Sequence, residues 1–322
     1  MSDLYQVSVP VEDQTPDSQQ QGIGAALQQV LIKISGFSSV LDNPEIQQKV
    51  SRQADRYVES FRYERDEIDD SVRLTVVFVA NLVDRLLRDA EEPIWGKSRP
   101  LILNWLAIEE SGSRVIVNQN FSVWPEMTEQ ALSERGIPLL WPALDLQDEI
   151  ALPIENLWGG FKNDIQQASE RYLTDGVLAG RLIRLANNDG SAEWSYRGAF
   201  MHQQQWIPID AAAPAPASVM VNVADQVAGY LASRYAVNTN SQPSSQRHQL
   251  TITGIDSFQQ YHGVLKYLQS KVAITDVQVI QMQQQTIRLS LQLATDWEQV
   301  WQVLELDKRL LQDTESQQLI WQ

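Results

Sequence analysis

Residues 136–161, GIPLLWPALDLQDEIALPIENLWGGF, crowd carboxylates, rings and glycines into one otherwise apolar stretch. Asp145, Asp148, Glu149 and Glu155, with Asp164 just beyond, are of the type that general acid–base hydrolysis uses, and Trp141 and Trp158 would serve as platforms for a sugar. That chemistry makes a demand on geometry. A glycosidase holds two carboxyl groups about 5 Å apart, or roughly 6.5–9.5 Å when it inverts, across a cleft. Neighbours along one loop do not meet this by default, and one acid must also have its pKa raised by its surroundings. The plainer reading gives Pro138, Pro142 and Pro153 the shaping of the chain, Gly159-Gly160 a backbone turn, the tryptophans the gaps between elements and the acids to solvent. It outweighs the catalytic one. What it leaves is a surface on which Trp141, Asp145, Trp158, Gly159, Gly160 and Phe161 are the candidate interaction residues.

Other chemistries find less support. The absence of cysteine excludes thiolate zinc sites, disulfides and thiol catalysis. His202, His248 and His262 lie far apart with no metal-ligand spacing, and no GxxxxGK[ST] phosphate loop or GxSxG elbow occurs, so no metal, cofactor or catalytic residue is expected. Arg181 and Arg184 in GRLIRL alternate with apolar residues, which suits the solvent side of a strand or, less favoured, an anion contact. Trp95, Trp105, Trp124, Trp141, Trp158, Trp194 and Trp206 gather in or beside the middle of the chain, where rings stack on a ligand or a partner, although core filling is their commoner fate.

Charge narrows the partners. Against 25 Lys and Arg stand 41 Asp and Glu, a formal charge of −16. Such a surface repels phosphate backbones and anionic lipid, so neither nucleic acid nor a membrane surface is expected as partner. No apolar run is long enough to span a membrane.

The elements that must position these residues read as an α+β or α/β chain of three small modules in series. Residues 1–95 follow strand, helix, helix, hairpin, with Thr15-Pro16 and Asn43-Pro44 as helix starts, Gly36 as a helix stop and an acidic hairpin turn in DEIDD. Residues 96–237 alternate strands and helices as an α/β sandwich, with one turn at Asp189-Gly190. The polar stretch 238–247 is a linker. Residues 248–322 follow βαββαβ, the ferredoxin-like split βαβ, with Asp256 expected to cap one helix and Thr295 with Glu298 to form a capping box for the other. Trp297, Trp301 and Leu304 share one face of that second helix and are expected in the core.

The segments DLYQVSVPVEDQ, ALQQVLIKISGF, VLDNPEI, RPLILNWLAIEE, RGIPLLWPALDLQD, LWGGF and DGVLAGRL are similar, in that order, to the bacterial family of unknown function DUF2066, over about residues 3–270. More remotely, ASERYLTDGVLAGRL resembles the amino-terminal domain of TolB and the CsgG-like envelope lipoproteins, and the first module resembles the amino-terminal domain of FlgT. The resemblance implies an exported, periplasmic protein of a Gram-negative bacterium, its signal peptide replaced by Met1-Ser2. It implies no catalytic residue. The expected function is therefore a non-catalytic interaction scaffold for another envelope protein. The alternatives are a small-ligand, glycan or muropeptide-binding protein and, behind it, a carboxylate-dependent hydrolase.

Overall fold

A helix start, a helix stop and a stripe of aliphatic residues build the first module. The computed structural model describes residues 4–65, 71–110, 112–121, 123–186, 192–238, 247–312 and 318–322. The DEIDD turn, the Asp189-Gly190 turn and most of the linker lie outside them. The module runs β1 (Gln6–Val11), α1 (Pro16–Ser35), α2 (Pro44–Gln53), β2 (Val58–Arg65), β3 (Val72–Phe78) and α3 (Ala80–Asp89). Thr15 caps α1 by accepting from the Ser18 amide, and Asn43 caps α2 through the Glu45 amide. Ile23, Leu27, Val30, Leu31 and Ile34 fall on one face of α1 and are buried with Val7, Val9, Leu74 and Val76 of the antiparallel sheet β1-β3-β2. Each fully buried leucine there contributes about 2 kcal/mol relative to exposure.

The middle segment begins with β4 (Ile102–Glu110), β5 (Ser113–Ile116), α4 (Trp124–Glu134) and β6 (Leu139–Leu140). Three short helices follow, α5 (Leu146–Ala151), α6 (Ile154–Gly159) and α7 (Lys162–Ser169). The long strands β7 (Gly176–Ala186), β8 (Ala192–His202) and β9 (Gln205–Ala213) and the helix α8 (Pro216–Tyr235) complete it. The sheet order is β5-β4-β7-β8-β9, with β6 and β7 both parallel to β4 and the rest antiparallel. Successive side chains of β7 point to opposite faces. Val177 and Ala179 pack with Trp105 under Leu157, Ile165 and Ala168 of α6 and α7. On the opposite face, Phe200 and His202 of β8 lie against Tyr230 of α8.

The last segment is β10 (His248–Thr253), α9 (Phe258–Gln269), β11 (Ile274–Gln283), β12 (Thr286–Leu293), α10 (Trp297–Leu306), β13 (Leu310–Gln312) and β14 (Leu319–Trp321). Its sheet, β11-β12-β10-β14-β13, keeps the split βαβ arrangement of β11, β12 and β10 but has one strand more than the βαββαβ expectation. A β13–β14 hairpin replaces the single last strand, and β14 slots in parallel to β10. The caps also fall one residue later than the spacing suggests. Ser257, not Asp256, accepts from the Gln260 amide, and Asp296, not Thr295, from that of Gln299, because these residues take the extended backbone a cap needs. Leu304 is fully buried, while Trp297 and Trp301 cover the core from its rim.

The chain forms two compact units, one of residues 99–230 and one of residues 3–98 together with 231–322. Within the second, Ile94 and Val237 bridge as an antiparallel pair, and the Trp95 amide donates to the Ile34 carbonyl at 2.7 Å. Lys271 donates to Ser98 Oγ at 3.0 Å and pairs with Asp307. Gly36, at φ 82°, ends α1 where a Cβ would stand 2.3 Å from the Ala232 Cβ and 3.0 Å from Trp95 Cε3. A left-handed backbone and a closed space oppose a side chain together. Gly36→Ala is expected to cost about 2–4 kcal/mol in denaturant unfolding of that unit; a change under about 0.5 kcal/mol would show that neighbouring groups yield freely.

Candidate functional site

Two of the acids of residues 136–161, Asp145 and Asp148, are committed to structure. Asp145 is the N-cap of α5, accepting from the Asp148 amide at 3.0 Å, and the Arg171 guanidinium donates to both of its oxygens at 2.7 and 2.8 Å. Asp148, 1% exposed, accepts from the Leu144 amide at 2.9 Å, from Arg171 at 3.0 Å and from the Tyr172 hydroxyl. Tyr172 in turn accepts from the Ala143 amide at 2.9 Å, so the four side chains clasp α5 to the turn after α7. Burial and the bond to Asp148 push the Tyr172 phenol up to about 12. Asp164 accepts from Asn156 at 2.7 Å, and Glu149 and Glu155 are exposed.

The hydrogen bonds from Arg171 hold Asp145 down to about 2, from an ordinary 3.8. A carboxyl whose folded pKa lies below its unfolded one contributes stability above the unfolded value and loses it as pH falls through the folded value. The contribution of this ion pair to the 99–230 unit is therefore expected intact above about pH 4 and gone near pH 2. Comparing denaturant midpoints of the wild type and Asp145→Asn down this range checks it, since the difference between them should shrink toward the acid end. A constant difference would contradict the assignment.

The aromatic candidates separate. Trp141 is 4% exposed and donates its indole N–H to Glu129 at 2.7 Å, so it cannot present an anchor to a partner. Trp158 is half-buried, but its ring already carries cations, with Arg114 at 4.3 Å and Arg181 at 5.4 Å from the ring centre. Those contacts engage the π-system a sugar would use. Phe161 is exposed and lies over Gly159, where an added Cβ would meet its ring at 3.2 Å. Gly160, at φ 70°, supplies the left-handed turn that ends α6.

Beside these residues is an open cleft of about 230 Å³. Helices α6 and α7 cover the β4–β7 part of one sheet face, and the β8–β9 part is left as a floor. The floor carries Arg181 directly opposite Arg197, and Arg197 directly opposite Asp210. Ala179 and Ala199 form the next row on the same face, with Trp206, Trp158, Gly159 and Lys162 around the margin. Arg181 donates to the Trp158 carbonyl, which fixes its head at the cleft wall. Lys162 stands 6.0 Å from the Trp206 ring centre. Among the described residues none of Arg181, Arg197 and Lys162 forms an ion pair, and Asp210 is the one carboxylate lining the cleft. The floor can be this open because Gly180 and Gly198 face each other, their missing side chains making room on the far face for the fully buried Tyr196 ring.

Of this set, the sequence pointed to Arg181, Trp158, Trp206 and the glycine pair. Arg197 and Asp210 enter through strand register and Lys162 through the placement of α7, and the one cue to the arginines is that positively charged residues sit among apolar ones in GRLIRL and SYRGAF. The histidines do not converge. His202 is buried against Phe200, His248 stacks on Trp297 at 4.0 Å with its pKa lowered by burial, and His262 is exposed on α9. Among the described residues, no group of three or more His, Asp or Glu side chains is placed to hold a metal ion, and no helix is long and apolar enough to cross a membrane.

Fold and site together define an α+β protein with a cationic cleft on one sheet face of an otherwise acidic chain. Residues 1–96, the first module, match a domain of unknown function, DUF8605. This corrects the expected membership: the match is to DUF8605 and not DUF2066, and no likeness to TolB, CsgG or FlgT is found. The periplasmic location rested on that resemblance and loses its support with it. No curated protein and no solved structure matches the chain.

Proposed function

We propose that the chain is a non-catalytic binding protein whose 99–230 unit receives a small anionic ligand in the cleft over β7, β8 and β9. The observation that carries this is the directly opposed pair Arg181 and Arg197, without an ion-pair partner among the described residues, in a chain of formal charge −16. Surface cations in such a chain have an excess of carboxylates to pair with, so positive groups gathered around a concavity favour an external anion. Absence of chemistry is supported by the same geometry. Among the described residues Asp210 is the one carboxylate lining the cleft, so no second acid faces it there. An interaction scaffold is the weaker reading, because of its three anchors Trp141 is buried, Trp158 carries arginines and only Phe161 is exposed.

A thermal-shift panel of small anions, neutral sugars and cations tests the proposal. Ligand at a hundredfold excess over its Kd stabilises a fold by about 2.7 kcal/mol, enough to read. Anions are expected to raise the unfolding temperature of the wild type and not of an Arg197→Gln/Lys162→Gln double variant. Stabilisation by neutral sugars alone, or equal responses of the two proteins, would sink it.

A further inference from the structure

We infer that the ligand is a soluble organic phosphate monoester bound as its dianion, an inference that rests on the anion-binding reading above. Like charges directly opposite on adjacent strands destabilise a sheet. Arg181 and Arg197 occupy such a position, with Ala107 beside Arg181 and Asp210 beside Arg197; Asp210 forms no ion pair with Arg197, and one carboxylate does not relieve two guanidinium groups with Lys162 close by. A counter-charge bridging both guanidinium groups would. The planar fork of arginine suits carboxylate and phosphate equally, so the choice between them turns on charge and oxygen count. A carboxylate brings one charge and two oxygens. A phosphate monoester brings about −1.5 to −2 charges at pH 7 and three acceptor oxygens, which matches two arginines and Lys162.

The remaining lining describes the organic part. Ala199 offers a small apolar contact and Trp206 an indole ring, while Asp210, one strand beyond Arg197, can accept from a hydroxyl or amine. About 230 Å³ lies just under the usual range of small-ligand pockets, which holds the phosphate and one small ring. A phosphate on a lipid headgroup shares this chemistry. With a net charge of −16 the chain is repelled by an anionic bilayer, which favours the free ester.

Isothermal titration of the full chain with phenyl phosphate, phenyl sulfate and benzoate tests this, because the first two share shape and differ in charge. At about pH 7.5, phenyl phosphate is expected to bind at least about tenfold more tightly than either of the others. The gap should close toward about pH 5, where the ester has taken up a proton at its second pKa near 6. Arg197→Gln, a substitution of an exposed residue, should weaken phenyl phosphate about tenfold or more without lowering the unfolding midpoint of the unliganded chain, since it removes one of two opposed like charges. Equal binding of the three probes, preference for benzoate, or a gap that persists at low pH overturns the phosphate assignment and leaves the anion site standing. Failure of all three to bind together with no sedimentation on phosphatidate-containing vesicles, or binding indifferent to Arg197→Gln and Lys162→Gln, overturns both. Sedimentation with phosphatidate-containing vesicles in the absence of phenyl phosphate binding overturns the soluble ester in favour of a lipid headgroup.

Discussion

Asp148→Ala is expected to destabilise the 99–230 unit by about 3–5 kcal/mol, the range seen when one partner of a buried charged network is removed. The carboxylate is buried, and three donors converge on it: Arg171, the Tyr172 hydroxyl and the Leu144 amide. Truncation leaves them without their acceptor, and each buried donor left unmade costs about 1–3 kcal/mol. Asp148→Asn keeps an acceptor for the Leu144 amide and should cost less, while Asp145→Ala removes an exposed partner and a helix cap and should cost least. Urea unfolding of the three variants orders them. If Asp148→Ala costs no more than Asp145→Ala, the clasp is not what fixes α5 to the turn at Arg171 and Tyr172.

The other large effect is expected at Gly198. A Cβ there would stand 2.3 Å from the Ala179 carbonyl oxygen, 2.7 Å from the Gly180 Cα and 2.8 Å from the Tyr196 hydroxyl. Two of these are backbone atoms of β7, so relief requires the β7–β8 ladder itself to open. Gly198→Ala should cost about 3 kcal/mol or more. It should also abolish anion binding in whatever fraction stays folded, because Arg181 and Arg197 are the next residues along the displaced strands. Gly229→Ala in α8 is the matched control. No atom lies within 4 Å of the added Cβ, and a helix interior prefers alanine, so a gain of about 0.5–1 kcal/mol is expected. Calorimetry on the two variants separates a clash from a general intolerance of alanine.

The parts legible from residue order were those governed by neighbours a few positions away. The first module's helix start at Thr15-Pro16, its aliphatic stripe and its stop at Gly36 all stand where periodicity and capping chemistry put them. Where the outcome depended on distant strands, order alone fell short. Residues 146–159 read as a wandering loop because Pro153 and the acids interrupt any helical stripe, yet they form two short helices, the first of them held by Arg171, a residue more than twenty positions after the aspartates it binds. The cleft shows the same limit. Arg181 was visible as a cation among apolar residues, but its meaning depends on Arg197 lying opposite, a matter of hairpin register whose turn residues fall outside the described part of the chain. The β13–β14 hairpin escaped because Leu310–Gln312 is too short to carry an alternation.

The division of the chain has a bearing on its biosynthesis. The 99–230 unit is one uninterrupted length and can close as soon as its own residues have been made. The other unit cannot: residues 3–98 share it with residues 231–322, and β14, made after both β10 and β13, fills the space between them. The exposed flank of the first module must therefore wait while more than a hundred residues are translated. At about 5–20 residues per second that is a delay of many seconds, during which Gly36 and Trp95 lack the Ala232 segment they will pack against.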